Sequence, residues 1–244
     1  MGRCGAAFSV ALAVMASSAT VFAGERPRAV VELFTSQGCS SCPPADKLAA
    51  ELASDPSLVV LSLPIDYWDY LGWKDTLALP GHASRQRAYA ALRGDREVYT
   101  PQVVVNGVTH VIGNDKAALE NAVTEHKAPD TLAVPVTLSL SANQLTVAIA
   151  AAGKPASAEV WLCPLSRRVP VTITRGENRG HTITYANVVR HWVRLGEWNG
   201  TARTFNVAKA DFAGDGIDEV AVVVQAGDAK HPGVMLGAAI APMH

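Results

Sequence analysis

The chain has 244 residues, a formal net charge of −1 and four cysteines. Because its 21 basic residues are balanced by 22 acidic ones, it lacks the basic excess of a nucleic-acid-binding protein, and we expect no nucleic-acid partner. The same balance gives no reason to expect binding to an anionic membrane surface.

The first 23 residues have the pattern of a secretory signal peptide. Arg3 supplies a positive start, residues 6–21 are apolar and mostly small, and Val21-Phe22-Ala23 resembles a signal-peptidase site. This run is too short for a comfortable membrane span. We therefore expect cleavage after Ala23, a periplasmic or secreted protein, and no membrane span in the mature form.

Buried strands alternate with helical patterns between residues 24 and 127. Residues 29–34 and 58–65 are predicted strands, and residues 43–52 and 82–92 are predicted helices. Asn106-Gly107 predicts a tight hairpin turn between two further strands, and Asp115 begins a helix that runs to about residue 126. This order predicts an α/β domain, a mixed sheet with helices on both faces.

Residues 128–244 read almost entirely as strands. Apolar residues alternate with polar ones, and turns rich in Gly, Asn and Asp separate the runs. Eight runs are predicted: residues 134–140, 144–150, 158–163, 169–175, 181–195, 201–207, 219–226 and 234–240. This pattern predicts an all-β, sandwich-like second domain.

Cys39-Ser40-Ser41-Cys42 lies between the first strand and the helix that starts at Pro43. The N-terminus of a helix carries partial positive charge and free N–H groups, so it stabilises a thiolate. We interpret the two cysteines as a redox pair in which Cys39 attacks and Cys42 resolves the mixed disulfide. This assignment requires Cys39 to be open to an incoming peptide.

Two other interpretations of the cysteine pair stay open. One is a structural disulfide. The other is a Cu(I) site that adds His82 or His110 to the two thiolates, because soft ligands favour Cu(I). Structural zinc is disfavoured, since the sequence contains no second CxxC. Cys163 alternates with apolar neighbours in a predicted strand and is interpreted as a buried, unreactive thiol.

The first domain resembles the thioredoxin superfamily. CSSC after a strand and at a helix start, Thr100-Pro101 before the third strand, and the Asn-Gly hairpin followed by a helix carry this resemblance together. It implies that Pro101 is cis and lies beside the thiol pair, with Thr100 presenting its backbone to a substrate.

The resemblance also draws attention to Glu32 and to the aromatic segment that follows the second strand. Thioredoxins place a buried acid behind the resolving cysteine, so Glu32 could take the proton from Cys42; the alternative is an ion pair with Lys47 or Lys74. The aromatic residues either pack their loop onto the core or line a substrate groove, with Trp68 as the candidate substrate contact.

The mature chain as a whole is similar to a bacterial secreted family, domain of unknown function 1223. The matching stretches are residues 32–46, from Glu32 through CSSC to Asp46, then residues 66–73, 98–102 and 187–190. This resemblance implies a thioredoxin-like domain followed by a β-rich one. It implies no settled activity.

The sequence therefore predicts an exported thiol-disulfide oxidoreductase that acts on protein dithiols or disulfides. Electrons arrive by exchange, so no bound cofactor is expected and the reaction needs no metal. The rival hypothesis is a binding module without turnover, either a copper chaperone or a docking factor for envelope proteins.

Overall fold

The computed structural model describes residues 20–22, 26–125, 131–152 and 157–243. Its first part contains strands β1 (Thr20–Phe22), β2 (Ala29–Thr35), β3 (Leu58–Pro64), β4 (Gln102–Val105) and β5 (Thr109–Ile112), and helices α1 (Pro43–Leu52), α2 (Pro80–Arg93) and α3 (Lys116–Glu125). Its second part contains strands β6 (Val136–Leu140), β7 (Gln144–Ile149), β8 (Ala158–Thr172), β9 (Thr182–Val189), β10 (Val193–Trp198), β11 (Arg203–Ala208), β12 (Glu219–Asp228) and β13 (His231–Pro242).

Strands from both parts form one mixed sheet. Its order is β13-β12-β8-β9-β3-β2-β4-β5, and β10 also pairs with β8. The strand pairs β2–β3 and β3–β9 are parallel, and the other pairs in this sheet are antiparallel. The β3–β9 pairing joins the two parts through Ser62 and Val188. In the described residues the protein is thus mostly β, with a mixed sheet and few helices.

Helices cover opposite faces of the first part of this sheet. Val31 and Leu33 of β2 pack with the apolar side chains of α1 and α3. Val30 and Phe34 pack on the other face, with Ala83 and Tyr89 of α2. Because successive side chains of a strand point to opposite faces, β2 separates these two layers.

A second, four-stranded sheet has the order β1-β6-β7-β11. Leu138 of β6 and Val147 of β7 pack in one core with Val160 and Leu162 of β8 and Val222 of β12. The two sheets therefore share a continuous apolar interior in the second part of the chain.

Two sequence predictions fall partly or wholly outside the described residues. Of the predicted signal peptide, residues 1–19 and 23 lie outside, whereas β1 pairs with β6. The predicted domain boundary near Lys127 also lies outside the described residues. None of the helices in the described part of the chain is long and apolar enough to cross a membrane.

Candidate functional site

Cys39 and Cys42 form a disulfide between the end of β2 and the start of α1, with Cα atoms 5.4 Å apart. The Cys42 carbonyl accepts hydrogen bonds from the backbone N–H groups of Ala45, at 2.8 Å, and Asp46, at 3.1 Å. Pro43 and Pro44 occupy the first helical positions, where a missing N–H costs little. The cysteine pair therefore lies at a helix N-terminus, as the sequence predicts.

Both cysteines are buried. Cys39 is 3% exposed and Cys42 is 0% exposed, while Ser40 and Ser41 between them are exposed. The expectation that Cys39 is open to an incoming peptide is therefore wrong for this structure. Any reaction at Cys39 requires part of its surroundings to move.

The Thr100–Pro101 peptide bond is cis and lies beside the disulfide. The carbonyl oxygen of Thr100 is 3.7 Å from the Sγ atom of Cys39. Gly113 allows this close packing, because a Cβ atom there would lie 3.0 Å from the Cβ of Pro101 and 3.2 Å from the Cβ of Ala45. The structure thus brings Thr100 and Pro101 to Cys39, as the thioredoxin resemblance implies.

Trp68 is half-buried and reaches the site through Thr100. Its indole Nε1 donates a hydrogen bond to Thr100 Oγ1 at 2.7 Å, and its Cβ packs closely over Gly38. Tyr70, which is 76% exposed, stacks on the indole with the ring centroids 6.2 Å apart. Trp68 therefore holds the loop that carries Thr100, and Tyr70 presents the exposed aromatic surface.

Glu32 lies on the opposite face of the sheet from α1, because it shares that face with Val30 and Phe34. Its carboxylate accepts hydrogen bonds from Arg85 Nε at 2.7 Å and from the Tyr89 hydroxyl at 2.6 Å. Glu32 is fully buried, and the Arg85 side chain is only 10% exposed. The structure thus places Glu32 in an ion pair with Arg85 rather than beside the cysteine pair, and its partner is neither Lys47 nor Lys74.

Asp46 is the acid that the fold places near the cysteine pair. It lies four residues after Cys42 in α1, one helical turn away, and its Cβ leans back toward the helix N-terminus. Thr35 donates a hydrogen bond to Asp46 Oδ1 at 2.7 Å, while Oδ2 is buried without a partner. Burial raises the pKa of Asp46 to about 8; the Thr35 hydrogen bond opposes this shift and Asp75 adds to it.

Two further acidic groups, Asp75 and Tyr185, interact electrostatically with Asp46. The Asp75 carboxylate accepts the backbone N–H of Gln37 at 2.7 Å, and burial raises the pKa of Asp75 to about 6. Tyr185 of β9 carries a buried hydroxyl without a partner, and burial, Asp46 and Asp75 together raise its pKa. Near neutral pH Asp46 is therefore mostly protonated, whereas Asp75 is mostly ionised.

The connection between β8 and β9 lies against the backbone around Cys39. The side-chain amide of Asn178 donates hydrogen bonds to the carbonyl oxygens of Gln37 and Cys39, both at 2.9 Å. The Glu177 carboxylate accepts the backbone N–H of Ser40 at 3.3 Å. A segment from the second part of the chain thus contacts the site.

The histidines of the copper interpretation are engaged elsewhere. The Nδ1 atom of His82 lies 2.9 Å from the carbonyl oxygen of Pro64, and burial lowers the pKa of His82 to about 4. His110 contacts Asp95 and Tyr99. Among the described residues, no group of three His, Cys, Asp or Glu side chains is arranged to hold a metal ion.

Cys163 is fully buried, and burial raises the pKa of its thiol.

Comparison with known proteins gives the family of the chain. The family model described as "Protein of unknown function (DUF1223)" matches residues 30–225. The chain belongs to the DUF1223 family.

Two solved structures resemble this DUF1223 protein. Protein AGR_C_4864 from Agrobacterium tumefaciens is 32% identical to it, with a TM-score of 0.81; the match covers 91% of this chain and 97% of the other. HBP35 of Porphyromonas gingivalis is 14% identical, with a TM-score of 0.57, and the match covers 90% of this chain and 76% of the other, so this likeness concerns the fold alone. No curated protein matches the chain.

Sequence reasoning missed two parts of the site in this DUF1223 protein. Asp46 had a local signal, since it is an acid among the apolar helical positions Ala45, Leu48 and Ala49. Asn178 gave no such signal in the sequence. It lies in a polar turn 139 residues from Cys39, and long-range strand pairing, such as that of β9 with β3, brings the two residues together.

Proposed function

We propose that this protein is an exported thiol-disulfide oxidoreductase that acts through Cys39 and Cys42 on disulfides or dithiols of other proteins. The observation that carries the proposal is a disulfide at a helix N-terminus with the cis Thr100–Pro101 carbonyl 3.7 Å from Cys39 Sγ. The dipole of α1 stabilises the thiolate form of Cys39, which is the reactive form.

The proposed reaction transfers two electrons and two protons. In the reduced protein the Cys39 thiolate attacks a substrate disulfide, forms a mixed disulfide and releases one substrate thiolate, which takes a proton from water. Cys42 then loses its proton and its thiolate attacks Cys39 Sγ. This step closes the Cys39–Cys42 disulfide and releases the second substrate sulfur as a thiolate. The reaction with a substrate dithiol is the reverse.

We assign Asp46 as the base that accepts the proton of Cys42. A base is most effective when its pKa is close to that of the proton donor, and an ordinary thiol has a pKa of about 8.5. The Asp46 pKa of about 8 meets this condition. In molecules whose Asp46 is ionised, the carboxylate would take the Cys42 proton, and the carboxyl group so formed would give that proton to the departing substrate thiolate. Glu32, the acid expected from the sequence, is engaged by Arg85 and is not assigned this role.

The proposal includes a finer description of the fold. Residues 24–127 would form a thioredoxin-like domain, supported by the helices on both faces of β2, β3 and β4 and by the cis proline. Residues 128–244 would form a β-sandwich, supported by the core between the four-stranded sheet and strands β8 and β12.

Export is also part of the proposal, because disulfides persist in oxidising compartments. Removal of residues 1–23 would take β1 from the edge of β6. Since β6 also pairs with β7 over five residue pairs, residues 24–244 should keep the second sheet. The experiments below therefore use both the full chain and residues 24–244.

The direct test is insulin reduction in the presence of dithiothreitol, together with refolding of a scrambled disulfide protein. Cys39→Ser should abolish both activities, and Cys163→Ser should leave both unchanged. Equal activity of the wild-type protein and Cys39→Ser would reject the oxidoreductase proposal.

The burial of both sulfur atoms favours one rival, a structural disulfide on a non-catalytic binding module. That rival predicts no turnover and a Cys39→Ser variant that loses stability. In its copper-chaperone form it also predicts stoichiometric Cu(I) binding to the reduced protein that Cys39→Ser removes. Titration of the reduced protein with a Cu(I)–chelator complex separates this form from the oxidoreductase.

A further inference from the structure

The residues that connect β8 to β9 form a hairpin loop over the cysteine pair. Every residue from Thr174 to His181 is exposed except Asn178, which is 4% exposed. The buried part of this loop is therefore a single side chain, and that side chain is a polar amide.

The contacts of the loop with the first part of the chain are few and polar. The Asn178 amide donates to the carbonyl oxygens of Gln37 and Cys39, and Glu177 accepts from the backbone N–H of Ser40. At the edge of the loop, Gly176 lies against Trp73. Segments with few buried apolar contacts open at the lowest free energy in a folded protein. This loop has that character, and it is bonded to the carbonyl oxygen of the buried Cys39.

The loop can move without losing its own shape. Its closing hydrogen bonds are internal, from the backbone N–H of Gly180 to the carbonyl of Ile173 and from the N–H of Ile173 to the carbonyl of His181. Gly176 and Gly180 have φ angles of +75° and +87°, which glycine adopts without strain and which form the turn on either side of Asn178. When the loop lifts as a unit, these internal bonds are kept, and the bonds to Gln37, Cys39 and Ser40 are lost.

We propose that residues 174–181 form a lid over Cys39 and that Asn178 is the positioning residue that holds the lid closed. The lid gives the second part of the chain a role, since it decides when the disulfide meets another thiol. This inference rests on the proposed function for its biological use, but lid opening can be measured without any turnover.

The experiment measures the second-order rate constant for reduction of the Cys39–Cys42 disulfide by dithiothreitol in the folded protein at pH 7.5. Asn178→Ala removes two hydrogen bonds, each with a net contribution of about 1 kcal/mol, so the rate constant should rise at least tenfold. Asn143→Ala, the same change at an exposed position in the β6–β7 turn, should leave the rate constant unchanged.

Two more variants keep the test decisive if Asn178→Ala fails to fold. Asn178→Leu fills a similar volume without donating hydrogen bonds, so it should also raise the rate constant at least tenfold. Glu177→Ala changes an exposed residue and should raise the rate constant about twofold to fivefold. If the folded variants are reduced with the same rate constant as the wild-type protein, the lid proposal is wrong.

The lid and the oxidoreductase proposal can fail separately. Faster reduction of the Asn178 variants, together with a wild-type protein inactive toward protein disulfides, supports the lid and rejects the oxidoreductase. Wild-type activity toward protein disulfides, with reduction rates that the Asn178 variants leave unchanged, rejects the lid alone.

Discussion

The buried carboxyl of Asp46 should make the stability of this protein depend strongly on pH. In the folded protein its pKa is about 8, against an ordinary value of 3.8. Between these two values the folded state holds a proton that the unfolded chain has lost. The contribution of Asp46 to stability is therefore fully present below about pH 4 and is lost as the pH rises toward 8.

The magnitude follows from the separation of the two pKa values. Each pKa unit corresponds to about 1.4 kcal/mol, so a difference of about four units corresponds to a contribution of about 6 kcal/mol. Asp75, with a pKa raised to about 6, adds a smaller loss of the same sign between about pH 4 and pH 6. Asp46→Asn removes the first contribution and keeps the second.

The assay is urea unfolding of the wild-type protein and Asp46→Asn at pH 5, 6, 7 and 8. The free energy of unfolding of the variant minus that of the wild type should increase by about 4 kcal/mol from pH 5 to pH 8. Asp215→Asn, an exposed control, should give a difference that is independent of pH. If the difference in free energy of unfolding between Asp46→Asn and the wild type changes by less than about 1 kcal/mol over this range, Asp46 is not a buried carboxyl with a raised pKa.

Three further substitutions test other parts of the structure. Arg85→Ala leaves the buried Glu32 carboxylate without its cation and should lower the free energy of unfolding by about 3–5 kcal/mol, while Arg87→Ala, exposed on the same helix, should change it by less than about 0.5 kcal/mol in a urea titration. Trp68→Phe keeps a ring but loses the N–H donated to Thr100, at a cost of about 1 kcal/mol, so insulin reduction should slow severalfold; an unchanged rate would show that Thr100 needs no anchoring. Cys163→Ala should leave the rate of insulin reduction unchanged, and a loss of more than half of that rate would give this thiol a role.

Local patterns in the sequence predict much of the first part of the fold. The helix predicted from Asp115 is found as α3, and Asp115 Oδ1 accepts the backbone N–H of Ala118. The hairpin turn is found at Asn106 and Gly107, with φ angles of +54° and +73°. These elements depend on residues close together in sequence, so composition and spacing are sufficient to locate them.

The second part departs from its predicted strands where long-range pairing decides the boundaries. The runs predicted at residues 158–163 and 169–175 form one strand, β8, because its first half pairs with β12 and its second half with β9. The run predicted at 181–195 divides into β9 and β10, which pair with different halves of β8: β9 with its second half and β10 with its first. Neither partner is visible in a local pattern.

The candidate site shows the same division. Cys39 and Cys42 were predictable, because a strand, a turn and a helix start surround them in sequence. Glu32 was read correctly as a buried acid, but its ion-pair partner is Arg85, which lies 53 residues away in sequence. The closure of the site by Asn178 depends on contacts across 139 residues, which no spacing rule supplies.

The most direct test of the central claim is the reduction potential of the Cys39–Cys42 disulfide, measured by equilibrating the protein in glutathione buffers and in dithiothreitol buffers. Proteins that catalyse thiol-disulfide exchange have reduction potentials between about −270 and −120 mV, and we expect a reversible reduction potential in this range. A value below about −300 mV, which is typical of structural disulfides, would contradict the account.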